Sequence, residues 1–446
     1  MRKTFVEETV LFVSILKWAV LAVLTGAIVG LGSTVFLKTL GWSSAYMLVN
    51  PLYFLLLPLA LFLSGLLVKY LAPDAEGHGT EKVIQAVHKR WGRIDIKVVP
   101  VKLVATVITL ASGGSAGKEG PCAQIGAGLA SGMADLFKLS KEDHRKLVIC
   151  GISAGFATVF GTPIAGALFG VEVLVLGQIM QDVLFPSLMA SIVGYQIAKT
   201  FGIAYFHQTI HLTHFSQVLF IEVLLSGLFF GIVALMLVET LKLAERYSQK
   251  LMIWKPFKGL IGGAVLVLLA LVFSPRYLGL GVNTIEAAIK GGQVPALGFL
   301  WKTIFTSITL SMGGSGGILT PIFFIGSTAG STFAHLFHLN PAVFAAIGMV
   351  ALLAGAANTP IAASVMAIEI FGPQIGSLAA VACVVSYIAA GHRSVYSSQI
   401  LGITKSSSIS APLMKEFESI DGVMVEDKPG KLIHLIKSMI RNSKRL

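Results

Sequence analysis

The apolar stretches of this 446-residue chain are its most restrictive feature, because several are too long for one upright membrane span and too interrupted for two. They cover residues 11–40, 49–71, 98–137, 147–176, 183–201, 218–243, 259–273, 296–337 and 341–390. A helix crosses the roughly 30 Å hydrocarbon core of a bilayer with about 20 residues. Inside lipid every backbone N–H and C=O needs a partner within the protein. A broken helix therefore survives only where protein or a water-filled cavity covers the freed groups. The breaks are made by Gly113, Gly114, Gly117, Gly120 and Pro121, and again by Gly313, Gly314, Gly316, Gly317 and Pro321. Such breaks belong in the interior and point to a binding site there.

The two sets of breaks are copies. Gly113-Gly-Ser-Ala-Gly-Lys-Glu-Gly-Pro121 lies 200 positions before Gly313-Gly-Ser-Gly-Gly-Ile-Leu-Thr-Pro321, and residues 113–131 match 313–331 at eight positions without a gap. A second echo follows in the same order. Thr162-Pro-Ile-Ala165 returns as Thr359-Pro-Ile-Ala362, with Glu172 and Glu369 each seven residues beyond. Two related halves, roughly 10–205 and 215–405, describe a transporter built from repeats around one site. The repeat alone leaves open whether the halves are inverted or parallel. Glycines four apart (Gly26/Gly30, Gly151/Gly155, Gly166/Gly170, Gly326/Gly330) permit close helix contacts in lipid, although any one pair is also expected by chance among 47 glycines.

Composition narrows the class. Charged residues make up 13% of the chain, about half of the roughly 25% of soluble domains. Apolar residues reach 55%, and the mean hydropathy is +0.81. A soluble enzyme, a disordered chain and a secreted disulfide scaffold are excluded, which leaves a polytopic membrane protein. The net charge of +12 invites a nucleic-acid partner, but the placement of the charge argues against one. Basic residues collect in short connections: Lys89, Arg90, Arg93, Lys97 and Lys102; Lys138, Lys141, Arg145 and Lys146; Lys242, Arg246, Lys250, Lys255 and Lys258. The positive-inside bias produces this pattern. Cys122, Cys150 and Cys383 give neither a disulfide framework nor a metal spacing, and no cofactor or metal is expected. The first apolar run is too long for a signal peptide and reads as a retained span. Residues 406–446 read as a short tail after a membrane domain at 1–405. Its partly amphipathic part (Leu432, Ile433, Leu435, Ile436, Met439, Ile440) suits either the membrane surface or the protein's own body.

Glu119 sits among small residues at an expected helix start. A helix N-terminus exposes unpaired N–H groups and partial positive charge. Where glycines let an anion approach, it is an anion site without a cationic side chain. A carboxylate there takes the place an anion wants, while burial and helix N–H groups pull its protonation in opposite directions. Glu119 is thus a candidate gate, blocking when ionised and displaced when protonated; a plain helix-capping acid is the simpler reading.

Gly117-Lys-Glu-Gly-Pro121 resembles the Gly-(Lys/Arg)-Glu-Gly-Pro signature of the CLC family of chloride channels and anion/proton antiporters. Gly317-Ile-Leu-Thr-Pro321 is similar to that family's second motif, Gly-X-Phe-X-Pro. Val395-Tyr396-Ser397, after Gly391-His-Arg, resembles its late pore-tyrosine segment, and Gly77-His-Gly-Thr80 falls where the family has Gly-Ser-Gly-Ile-Pro. The resemblance covers roughly residues 10–405. It implies an all-α membrane fold, an inverted repeat of about eighteen tilted, partly broken helices. It also implies a homodimer in the plasma membrane with one anion pathway per subunit and both chain ends cytoplasmic. Glu119 would be the gate. Gly117, Lys118, Gly120, Pro121, Gly317, Ile318, Leu319, Thr320, Tyr396, His78, Gly79 and Thr80 would form the anion-binding segments.

The chain departs from the family pattern at several points. His78 replaces the central serine; it either donates to the anion and titrates or points into a loop, and Thr80 supplies a nearby hydroxyl. Leu319 replaces phenylalanine. Val173 stands where proton-coupled members usually carry an internal glutamate, so channel and exchanger both stay open, and Glu172 and Glu369 read as structural hydrogen-bond partners. Leu319-Thr-Pro321, Val173 and the Gly391-His392 context resemble the fluoride-exporting branch, whereas Pro121 and Gly77-His-Gly-Thr80 side with chloride-type members. The reading favours chloride, with a fluoride/proton antiporter as the alternative.

Rivals from other classes explain less. Gly113-Gly-Ser-Ala-Gly117 fits a nucleophile elbow. An intramembrane serine hydrolase would pair Ser115 with His392 as base, yet the motif occurs twice. A P-loop fails because Ser112 and Glu119 stand at its required positions. A scaffold without transport leaves the paired breaks unexplained. The chain is therefore expected to be a transporter, not an enzyme.

Overall fold

The structure, a computed structural model, describes residues 2–210, 216–419 and 424–425. Sixteen α-helices lie among them, and the n-th helix of the first half answers the n-th of the second. The outer pairs are α1 (Arg2–Met47) with α9 (Gln217–Lys250) and α2 (Leu57–Leu71) with α10 (Lys255–Val272). Next come α3 (Thr80–Lys89) with α11 (Val282–Ile289), α4 (Val98–Ala111) with α12 (Gly298–Ser311), and α5 (Glu119–Leu136) with α13 (Leu319–Leu336). The last are α6 (Lys141–Phe160) with α14 (Pro341–Ala357), α7 (Pro163–Glu172) with α15 (Pro360–Phe371), and α8 (Gln181–Thr200) with α16 (Pro373–Ala389). The count falls short of eighteen partly because the stretch after α16, which carries Tyr396, forms turns and the two-residue strand Ile400–Leu401 instead of another helix.

Local chemistry sets the ends. The Ser140 hydroxyl accepts the Asp143 N–H ahead of α6, and the Asn340 side chain accepts the Ala342 and Val343 N–H groups ahead of α14, each a helix cap of the usual kind. These paired helices end on left-handed residues, Gly161 at φ 71° and Asn358 at φ 57°. α7 and α15 both open on Thr-Pro, where proline's missing N–H costs nothing.

Four segments are long and apolar enough to cross a membrane, and they are two repeat pairs: Glu7–Met47 with Gln217–Lys250, and Tyr53–Leu71 with Lys255–Val272. Their exposed Val, Leu, Ile and Phe side chains form an apolar flank. α5, α6, α13 and α14 are buried along most of their lengths. Glycines from all four spaced pairs pack against neighbouring helices; a methyl group on Gly155 would lie 2.5 Å from the Cys122 carbonyl oxygen.

The two-fold relation is written in reciprocal contacts. Gly117 N–H donates to Gly317 O (2.7 Å) and Gly317 N–H to Gly117 O (2.6 Å), so equivalent strands run antiparallel at the centre. Thr309 Oγ1 accepts Ser115 N–H and Thr109 Oγ1 accepts Ser315 N–H, both at 3.1 Å. The Ser115–Thr306 and Thr106–Ser315 hydroxyl pairs both span 3.0 Å. The Glu172 carboxylate accepts the Ile361 and Ala362 N–H groups at the start of α15. Glu369 accepts those of Ile164 and Ala165 at the start of α7. Each half thus caps a helix of the other, the structural role expected for both glutamates.

One placement is corrected. Lys102 belongs to no short basic connection: it lies inside α4, fully buried, where its ammonium donates to Ala75 O (3.0 Å) and Gly77 O (2.7 Å). Its mate Lys302 does the same for Tyr277 O (3.1 Å) and Gly279 O (2.6 Å). A buried ammonium persists only when hydrogen-bonded, and here two carbonyls ahead of a short helix serve. Part of the tail also folds back. Lys415–Glu416 pairs with Ile400–Leu401, which pairs with Val175–Leu176, and Phe417 is buried against Leu176 and Leu401. The amphipathic residues 432–440 lie outside the described residues.

Candidate functional site

The broken segments converge. α5 starts at Glu119 and α13 at Leu319, on either side of the Gly117–Gly317 contact. A methyl group on Gly117 would approach the Thr320 nitrogen to 3.0 Å, and one on Gly120 would approach the Gly317 Cα to 3.0 Å. The Lys102 ammonium holds the loop before α3, and Gly79 (φ 82°) turns that loop into the helix. A side chain on Gly79 would run into the Gly120 carbonyl. Three helix N-termini therefore meet where backbone approaches backbone, an arrangement that favours negative charge.

Glu119 completes this junction. It is fully buried; its Oε2 accepts the Thr320 N–H at 3.1 Å, and its Oε1 accepts the Thr320 hydroxyl. The carboxylate of one half thus occupies the first turn of the broken helix of the other. Ile318 and Leu319 are buried at the same turn, Pro121 is buried in the first turn of α5, and Lys118 is half-buried beside Glu119.

Facing this junction, the Tyr396 hydroxyl is buried with no hydrogen-bond partner, as are Thr80 Oγ1 and His78 Nδ1. Tyr396 feels both Thr80 and the Glu119 carboxylate. The structure therefore brings together every residue singled out from the sequence for this site. A burial cost attaches to each such polar atom, and clustering them is worthwhile where an anion needs donors.

Sequence reading missed the supports. Glu81 Oε1 accepts from Ser397 Oγ (2.7 Å), Ser398 N–H (2.8 Å) and Ser398 Oγ (2.6 Å), tying α3 to the tyrosine loop. Gln399 Nε2 donates to the carbonyls of Val173 (2.9 Å) and Ala357 (3.2 Å), so a fixed amide contact reaches the buried Val173. Lys102 and Lys302 carried a signal: at the same offset of 200, residues 101–110 match 301–310 at Lys102, Thr106, Ile108, Thr109 and Leu110. The serine–histidine pairing of a hydrolase is not made. Ser115 pairs with Thr306, and His392 Nε2 accepts the Lys405 N–H at 2.9 Å.

Residues 60–391 match the family model described as voltage gated chloride channel. The chain is 36% identical over 409 residues to a chloride/fluoride channel protein of Pseudomonas syringae pv. tomato, covering 90% of each. It is 28% identical to an H(+)/Cl(-) exchange transporter of Klebsiella pneumoniae, over 78% of this chain and 80% of that one. Among solved structures it is similar to a CLC-type fluoride/proton antiporter, with a TM-score of 0.81 and 30% identity, over 86% of this chain and 97% of that one.

Proposed function

We propose, from the premise that this chain belongs to the voltage gated chloride channel family, the CLC family, that it is a fluoride/proton antiporter gated by Glu119. Transport of small anions across a membrane is the function of the family, and the multi-pass helical fold fits it. The observation that carries the finer reading is the seat of Glu119 on the N–H and hydroxyl of Thr320. Hydrogen bonds to an ionised acceptor contribute roughly 1.5–3 kcal/mol each. Protonation removes the charge, weakens both bonds and frees both donors for an anion. One proton and one anion then compete across the same atoms, and that competition is the core of exchange.

Thr320 favours fluoride over chloride. A hydroxyl beside a backbone N–H offers two short donors to a small, strongly hydrated anion. Chloride, favoured by the Gly77-His-Gly-Thr80 segment, is the alternative substrate. Fluoride efflux from loaded liposomes, recorded alongside external pH, tests the reading: fluoride leaving while protons enter supports it, and fluoride moving with no proton flux sinks it. Thr320→Val should lower selectivity for fluoride over chloride about tenfold, the loss of one hydrogen bond to a charged acceptor; unchanged selectivity would assign the hydroxyl no part in it.

The same reading makes the protein a homodimer in the plasma membrane. Residues 1–405 form the transport domain, 406–446 the tail, and both ends are cytoplasmic. The Ser115 hydroxyl is structural here. Ser115→Ala should keep more than half of the fluoride flux, and abolished flux in a well-folded variant would reopen a chemical role for Ser115.

A further inference from the structure

Resting on the antiport reading, we infer that Glu81 is the carboxylate through which protons pass between water and Glu119 on the side away from the gate. Glu119 is fully buried, so its proton needs a relay on that side. The charged groups that act on Tyr396 are two carboxylates, Glu119 and Glu81. Tyr396 stands between them with an unpartnered hydroxyl, beside the unpartnered hydroxyl of Thr80.

The two oxygens of Glu81 have divided surroundings. All three donors fall on Oε1. Oε2 is buried and has no partner. A proton can settle on Oε2 without displacing a single hydrogen bond, and the three bonds to Oε1 hold the group in place while it changes charge. Glu81 is half-buried, so it reaches the solvent side that fully buried Glu119 does not. In the transfer, a hydroxyl of the Thr80–Tyr396 pair gives its proton to the Glu119 carboxylate and takes the proton of Glu81 Oε2. The hydroxyl is restored, Glu119 is neutral, Glu81 is left ionised, and water reprotonates it. In the reverse turn the same groups act in the opposite order.

Other titratable groups around α3 are arranged differently. On α3 and its leading loop lie His78 and Lys82. Lys102 of α4 is committed to two carbonyls. Glu245 of α9 acts on His78, and Arg145 of α6 on His88 at the far end of α3. Of these, Glu81 alone joins a free carboxylate oxygen to direct bonds with the tyrosine loop.

The test records fluoride efflux and proton uptake together in liposomes for the wild type, Glu81→Gln and the double variant Ser397→Ala/Ser398→Ala. The expected result is a fall of at least tenfold in protons moved per fluoride in Glu81→Gln, with Glu81→Asp restoring part of it. A wild-type ratio in Glu81→Gln overturns the inference. If Glu81→Gln loses both fluxes, the serine double variant decides, because it cuts the same tether but keeps the carboxylate. Coupled transport in the double variant supports the inference; loss of both fluxes there makes Glu81 a tether and overturns it. A wild type that moves fluoride without protons refutes the antiport reading itself, an outcome separate from a coupled wild type with a coupled Glu81→Gln.

Discussion

Replacing Glu119 by glutamine is expected to abolish proton-driven fluoride accumulation, by a hundredfold or more, while leaving a passive anion leak that no longer responds to pH. Glutamine keeps the size of the side chain and one carbonyl acceptor for the Thr320 donors, but it carries no charge and takes up no proton. Loss of a charged acceptor on two hydrogen bonds amounts to roughly 1.5–3 kcal/mol per bond, enough to release the side chain from α13. In the wild type, lower pH protonates Glu119 and frees those donors, so flux should rise as pH falls. In Glu119→Gln the flux should be flat across the same range. Efflux recorded from pH 5 to pH 8 separates the two, and a variant that keeps the wild-type pH profile would show that Glu119 is only a helix cap.

Lys102→Met carries the second large effect. The ammonium satisfies two carbonyls in a fully buried setting, and methionine fills the space without supplying a donor. Two orphaned acceptors cost about 1–3 kcal/mol each, offset in part because a buried charge is itself expensive. A net loss of about 2–4 kcal/mol in stability is expected. Transport should drop at least tenfold, since the loop that Lys102 holds leads directly into His78, Gly79 and Thr80. Lys302→Met is the control within the same molecule. It removes equivalent bonds to Tyr277 and Gly279, but its loop carries no residue of the anion site. It should lose comparable stability in thermal unfolding and keep most of its transport per folded molecule. Equal loss of transport in both variants would mean that Lys102 only stabilises the fold.

The contrast between those lysines also marks what the amino-acid order reveals. The broken segments were legible because Gly and Pro inside an apolar run have few meanings in lipid, and the repeat was legible because its spacing is constant. Glu119 was recognisable as a residue at a helix start from its small neighbours. Its partner Thr320 was not, because the hydrogen bond joins residues 201 positions apart, and no local pattern records a contact made only once the halves meet. Lys102 was misplaced because a charge next to other charges reads as a surface loop; only its mate at 302 distinguishes a buried pair from chance. Glu81 left no trace of its bonds to Ser397 and Ser398, since a glutamate in the first turn of a helix is ordinary. The helix total was overestimated because irregular backbone and short strands follow α16, in a stretch that Gly391 and Gly402 interrupt.

The crossed carboxylates of Glu172 and Glu369 bear on how the protein is made. Synthesis runs from the first half to the second, so α7 enters the membrane well before Glu369, the group that caps it, has left the ribosome. Until then the N–H groups of Ile164 and Ala165 must rely on water or on lipid headgroups, and Glu172 waits in the same way for Ile361 and Ala362. Maturation should therefore end in one late docking event, when both caps close together. Two separately expressed halves, divided in the connection between α8 and α9, should be short-lived alone and regain both lifetime and transport when made in the same cell.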